Sequence, residues 1–290
     1  TGNPKPQGGI EFLQDKAKVM YDELSTETSE FFTKMLDMNL MDLDQKKGKA
    51  PGGYCTFLED YGVPFIFSNS NGTSDDVDTL THEVGHAFQV YSARDQILQE
   101  QRFPGMEAAE INSMGMEFIA YPWMKGFFGD ETQKYFYDHI SGTISFIPYG
   151  VLVDHFQHEV FENPEWSPKE RKEAWRRLEK IYNPWKNYEG NEFLEEGGFW
   201  QHQGHIYGMP FYYIDYCLAQ ICAMQIHNRL NEDRDAMWKD YVKICEVGGT
   251  IPFTEILEVG NFKNPFNEEV VQETIEKVSK SRDDIDASKF

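Results

Sequence analysis

A single, mainly helical domain with a small sheet near residues 50 to 70 is the fold class that this sequence predicts. Three observations lead to it. Most segments place apolar residues at steps of three and four, the period of a helix buried on one side. Strand-like runs occur only between about residues 50 and 70. The 290 residues hold no internal repeat and no low-complexity linker, and a content of 40% hydrophobic and 15% aromatic residues is ample for one core.

The elements follow in order. Phe12 to Leu24 and about Glu27 to Leu40 are amphipathic and read as two helices. Gly52-Gly53-Tyr54-Cys55-Thr56-Phe57 and Pro64-Phe65-Ile66-Phe67 read as neighbouring short strands, with glycines that permit close backbone approach. The turn-like stretch Asn69 to Ser74 leads into a helix with Ser74 as N-cap. Asp75, Asp76 and Asp78 favour its first turn through the helix dipole. Val77, Leu80, Val84, Ala87 and Tyr91 form its apolar stripe, and His82, Glu83, His86 and Gln89 fall largely off it. Pro104-Gly105 opens a helix over residues 106 to 117, and residues 131 to 161 form a long aromatic-rich helical region. Ser167-Pro168-Lys169-Glu170 is a capping box that starts a helix to about Tyr182. Glu196 to Gly208 holds four glycines and reads as a mobile loop. Helices over Phe211 to Leu230 and about Asp233 to Glu246 follow. Asn267 then caps a last helix to about Lys280, before a polar tail.

Composition narrows the function. A formal net charge of −22 argues against nucleic acid and anionic membranes as partners. No apolar run reaches the length of a membrane span. The N-terminus has no signal-peptide pattern, although it lacks an initiating methionine. Cys55, Cys217, Cys222 and Cys245 have no zinc-finger spacing and read as reduced thiols of a cytoplasmic protein.

The chemistry is concentrated in His82-Glu83-Val84-Gly85-His86, which fits H-E-x-x-H. Two imidazoles four residues apart on a helix project from one face, where both can ligate one zinc ion. Glu83 then stands beside the metal's open position as a base for a bound water. Catalytic zinc usually takes a third protein ligand. Glu107, Glu110 and Glu117 share a face of the next helix, and three carboxylates in an otherwise apolar segment call for a cation or a partner. Glu110 is the favoured ligand, with Glu107 nearly as good by spacing alone. Glu117 is a candidate to orient a ligating histidine. A rival cluster, Asp154-His155-Phe156-Gln157-His158-Glu159, has no third group near it in sequence and reads as core-rim or surface histidines. His139 and His227 stand alone, and His202 reads as a loop histidine.

These motifs resemble, together, the oligoendopeptidase F branch of the thimet-oligopeptidase-like zinc peptidases. The resemblance rests on Pro64 to Asn69, His82 to Phe88 and Ala109 to Met114, then on Gly204 to Tyr216, with Lys49 to Cys55 upstream. It implies a helical zinc-peptidase catalytic domain over 1–290, with one Zn2+ per chain on His82, His86 and Glu110. It also implies Glu83 as general base, with His205 and Tyr212 or Tyr213 stabilising the transition state. Tyr216 is a weaker candidate, and the segment departs from better-known relatives in holding Pro210 and in its spacing between histidine and tyrosines. The implied activity is endopeptidase cleavage of oligopeptides, with the substrate backbone lying beside Pro64-Phe65-Ile66-Phe67 as an added strand. A non-cleaving, zinc-stabilised peptide-binding module is the alternative, and the intact Glu83, His205 and tyrosines argue against it. Family members are longer, with a helical N-terminal half that walls a deep cleft, so a preceding half or a second chain is expected to complete it.

Overall fold

The structure, a computed structural model, describes residues 2–290. It is mainly helical, as expected. The helices are α1 (Ile10–Leu24), α2 (Thr26–Asp37), α3 (Asp75–Ser92), α4 (Met106–Ile119), α5 (Met124–Phe128), α6 (Thr132–Glu162) and α7 (Pro168–Tyr182). They continue with the one-turn α8 (Glu192–Glu195) and α9 (His205–Gly208), then α10 (Tyr213–Glu232), α11 (Arg234–Val247), α12 (Phe253–Val259) and α13 (Glu268–Asp283). One three-stranded sheet holds β1 (Met41–Asp42), β2 (Gly53–Leu58) and β3 (Val63–Ser68).

Local chemistry sets most boundaries. The capping box of α7 forms: the Ser167 hydroxyl accepts from the Glu170 amide, and the Glu170 carboxylate accepts from the Ser167 amide. Asn267 caps α13 by accepting from the Glu269 amide. Ser74 does not cap α3. Its backbone is already helical, which turns the hydroxyl away from the orphan amides. The Asp76 carboxylate organises the turn instead, accepting from Asn71 and Gly72 at 2.9 and 2.6 Å. α2 stops at Asp37, before the expected Leu40, because Asn39 enters the left-handed region and the chain turns into β1. The glycine-rich stretch is more ordered than expected. It contains a 3-10 turn (Gly198–His202) and α9 rather than one open loop.

The strand order is β1-β3-β2, with β1 parallel and β2 antiparallel to β3, Gly53 opposite Ser68. β3 is therefore paired on both sides, and the expected substrate strand cannot add to it. On the side of β2 the available edge belongs to β2.

The main core joins the α1–α2 hairpin, α3, α4, α10 and α11 through side chains such as Phe31, Phe32, Phe88, Phe118, Ile226 and Tyr241. A second cluster packs α6 on α7 around Phe156, Trp175 and Trp200. A third ties α6 and α10 to α13 through Ile140, Ile221, Met224 and Val278. The contact that matters most for function lies at Gly85. A Cβ there would stand 2.6 Å from the Asn112 carbonyl oxygen and 2.7 Å from the Ser113 Cα. Backbone thus meets backbone where α3 crosses α4, which brings the carboxylates of α4 against the imidazoles of α3.

Candidate active site

The α3–α4 crossing assembles three donors. His82 Nε2 and His86 Nε2 lie 3.1 and 3.2 Å from Glu110 Oε2. Among the described residues, this is the one group of three His, Cys, Asp or Glu donors gathered so closely. The spacing decides between the two carboxylates that sequence left open. Glu110 is 4% exposed inside the cluster, whereas Glu107 is exposed to solvent one turn away. The remaining bonds hold Glu110 in place. Ser113 donates to Oε2 at 2.8 Å, and Tyr212 donates to Oε1 at 2.8 Å.

Glu83 lies beside these donors and is 6% exposed. Its Oε2 is buried without a hydrogen-bond partner, and a Cβ on Gly53 would come within 3.0 Å of its Oε1. The start of β2 is therefore kept bare against Glu83. Burial raises the Glu83 pKa, opposed by His82 and His86. Burial opposes charge on His82 as well, but hydrogen bonds to Glu110 and Glu117 outweigh it and raise its pKa well above the usual range. The same pairing, working against burial, holds Glu110 well below it. This pocket stabilises positive charge.

The donor set fits zinc. Tetrahedral zinc with bonds of about 2.0–2.2 Å to nitrogen and oxygen spaces its ligands roughly 3.3–3.5 Å apart, close to the separations seen here. An unpartnered carboxylate beside the donors suits a water held at the fourth position.

Glu117 orients the first imidazole. Its Oε1 accepts from His82 Nδ1 at 2.7 Å, which directs the Nε2 lone pair toward the other donors. Its Oε2 meets His139 Nε2 at 2.8 Å, and His139 Nδ1 meets the Tyr121 hydroxyl at 2.7 Å. His139 on α6 is thus part of the site's support, although its sequence context carried no signal. Gln89, also on the polar side of α3, is structural: its amide donates to the carbonyls of Arg102 and Cys245.

His205 opens α9, Tyr212 immediately precedes α10, and Tyr213 and Tyr216 lie in the first turn of α10. His205 is half-buried, with its ring 6.4, 5.0 and 5.6 Å from those of Tyr212, Tyr213 and Tyr216. Burial lowers its pKa, against the pull of the Glu110 charge. Tyr212 is the tyrosine bonded to the metal-type cluster. The Tyr213 ring turns toward Phe146 and Tyr149 of α6. Tyr216 stacks obliquely on Tyr212 at 4.9 Å and feels the Glu110 charge, so it lies nearer the cluster than its weak sequence signal suggests. Phe211 has φ +64°, an uncommon conformation for an aromatic residue. Its amide is held by the buried Gln157 side chain at 2.9 Å, which starts α10 at Tyr213 rather than at Phe211.

The rival cluster stays apart. His155 bonds the Tyr182 hydroxyl at 2.8 Å, and His158 pairs with Asp154 along the surface of α6. His202 is exposed beside Phe199. All four cysteines are free thiols. No helix among the described residues is long and apolar enough to cross a membrane.

Comparison with known proteins places this architecture. The model of peptidase family M3 matches residues 9–275. The chain belongs to peptidase family M3. It is similar to a solved structure of PZ peptidase A with an inhibitor: 52% identity and a TM-score of 0.96, over 98% of this chain and 51% of that one. An oligoendopeptidase F structure matches at 52% identity and TM-score 0.96, over 98% and 50% of the two chains. Another, from Bacillus anthracis strain Ames, matches at 49% and 0.89, over 100% and 49%. The chain spans about half the length of these structures. No curated protein matches it.

Proposed function

We propose that this chain is the catalytic part of a zinc-dependent endopeptidase that cleaves internal bonds of oligopeptides. The observation that carries the reading is the convergence of His82, His86 and Glu110 on one point beside the unpartnered Oε2 of Glu83. His82, His86 and Glu110 would hold one zinc ion, and Glu117 and Ser113 would keep two of these ligands oriented. Zinc, when bound, supplies a Lewis acid that makes a water nucleophilic near neutral pH and polarises the scissile carbonyl.

The residues of the chain account for the remainder. Glu83 Oε2 takes the proton of the attacking water, and the same carboxyl hands it to the departing amine nitrogen. His205 and Tyr212 donate to the developing oxyanion, Tyr212 by turning its hydroxyl away from Glu110. Each such donor is worth about 3–4 kcal/mol in comparable sites. Tyr213 is the lesser candidate because its ring faces α6. The bare edge of β2 beside Glu83 would accept the substrate backbone as an added strand. The matched structures are about twice as long as this chain. We therefore assign peptide-length selection to a helical half or a second chain that walls the cleft.

The test is zinc content measured with cleavage of quenched oligopeptides, before and after a chelator. One zinc per chain with chelator-sensitive internal cleavage supports the proposal. Peptide binding with zinc but without cleavage would replace it with the binding-module reading, and absence of zinc would remove the metal assignment.

A further inference from the structure

His205 can act as a hydrogen-bond donor through Nε2 only in one of its two neutral forms, and the structure contains a device that selects it. The Gln203 side-chain amide stands 2.7 Å from His205 Nδ1. An amide nitrogen only donates, so Nδ1 must accept and the ring proton must sit on Nε2. Nε2 has no hydrogen-bond partner among the described residues. The amide orientation is itself set: the Tyr149 hydroxyl donates to Gln203 Oε1 at 2.7 Å. Reversing the amide would set its NH2 against the Tyr149 hydroxyl and take away the acceptor of the phenol proton, and Gln203, only 9% exposed, has little water to make up the loss. Tyr149 is positioned on α6 by edge contacts with Trp175, Phe199 and Tyr213.

We propose that Tyr149 and Gln203 form a tautomer lock that holds His205 as the Nε2–H donor. Neither residue touches the donor cluster, so both are positioning residues. The consequence for turnover rests on the reading of His205 as an oxyanion donor, whereas the lock itself does not. The charged and titratable groups that face His205 are Glu110 from α4, Tyr212 just before α10, and Tyr213 and Tyr216 from α10. Gln203, on its own segment, is neutral. Burial lowers the His205 pKa, so the neutral form governed by the lock prevails at neutral pH.

The experiment is nitrogen-15 NMR of histidine-labelled protein, with the His205 signals identified by their loss in His205→Gln. The wild type should show the Nε2–H form. Gln203→Glu presents a carboxylate, which only accepts, and should move the proton to Nδ1. Donation from Nε2 would then require the imidazolium. Turnover should fall roughly 10²–10³-fold, the usual cost of one oxyanion donor, on the alkaline side of a new limb in the pH profile, with zinc content unchanged. Tyr149→Phe, which keeps the ring and removes only the phenol, should add a second, Nδ1–H population, and it serves if Gln203→Glu fails to fold. An Nδ1–H form in the wild type overturns the lock, as does an unchanged tautomer in Gln203→Glu. A shifted tautomer with unchanged turnover upholds the lock and removes His205 from the chemistry.

Discussion

Glu83 combines two properties that a base in a dry pocket needs: one oxygen without a partner, and a carboxyl whose proton affinity burial raises. Replacement by glutamine preserves shape and removes the proposed base. Glu83→Gln should keep its zinc and lose turnover by about 10²–10⁴-fold, the span of general-base catalysis. Parallel kcat and metal analysis checks this, and full turnover with bound zinc would exclude the role. Glu117 acts one bond further out. Glu117→Ala leaves His82 Nδ1 and His139 Nε2 without their shared acceptor, so zinc affinity should weaken by about 10–100-fold. A chelator competition titration would measure it. Neither role of Glu117 was equally visible beforehand. Its place on the same helical face as Glu110, two turns further on, marked it as a candidate to orient a histidine. Nothing in the sequence linked it to His139, which lies 22 residues away on another helix.

At the scale of elements, the site exists because α3 and α4 cross with backbone close against backbone at one point. Gly85, in the middle of the H-E-x-x-H motif, is the residue that permits it. Gly85→Ala would press a methyl group into the Asn112–Ser113 backbone, which has no side-chain freedom to yield. Overpacking of this kind costs about 1–3 kcal/mol. The expected result is a lower melting temperature together with weaker zinc binding, because the helices must part to make room. Thermal denaturation and a zinc titration of the same variant would show both, and an unchanged zinc affinity would mean that Glu110 does not depend on this crossing. The elements around the site were only partly legible. The capping box of α7, the Asn267 cap of α13 and the apolar stripe of α3 are local, hence readable, whereas the Ser74 cap expected for α3 does not form. The central place of β3 in its sheet is decided by β1, a strand of two residues that leaves no sequence pattern.

Across the whole molecule, buried polar groups tie the site to the far side of α4. His227 on α10 packs against Phe118 and Tyr121 and makes only a long contact to Asn231, at 3.4 Å. Burial and the neighbouring His139 lower its pKa to about 4. Between that value and the ordinary histidine value near 6.5, the unfolded chain binds a proton that the native chain does not. Stability from this residue is therefore present above about pH 6.5 and is lost as pH falls toward about 4, at up to about 1.4 kcal/mol per pH unit. His227→Asn should flatten that slope in denaturant titrations run across the window. An equal slope in both proteins would assign acid sensitivity to other groups.

What the sequence by itself determined is the candidate chemistry and its immediate frame. The motif spacing, the carboxylates on the next helix and the helical periods are short-range features, and they sufficed to nominate His82, His86, Glu110 and Glu83 and the mainly helical class. Only the tertiary structure decided between Glu107 and Glu110, brought His139 and Tyr121 behind Glu117, separated Tyr212 and Tyr216 from Tyr213, and set Tyr149 and Gln203 on His205. The reason is physical. Ligand spacing within one helix follows from 3.6 residues per turn, whereas hydrogen bonds between helices depend on how whole elements pack, and no local pattern encodes that.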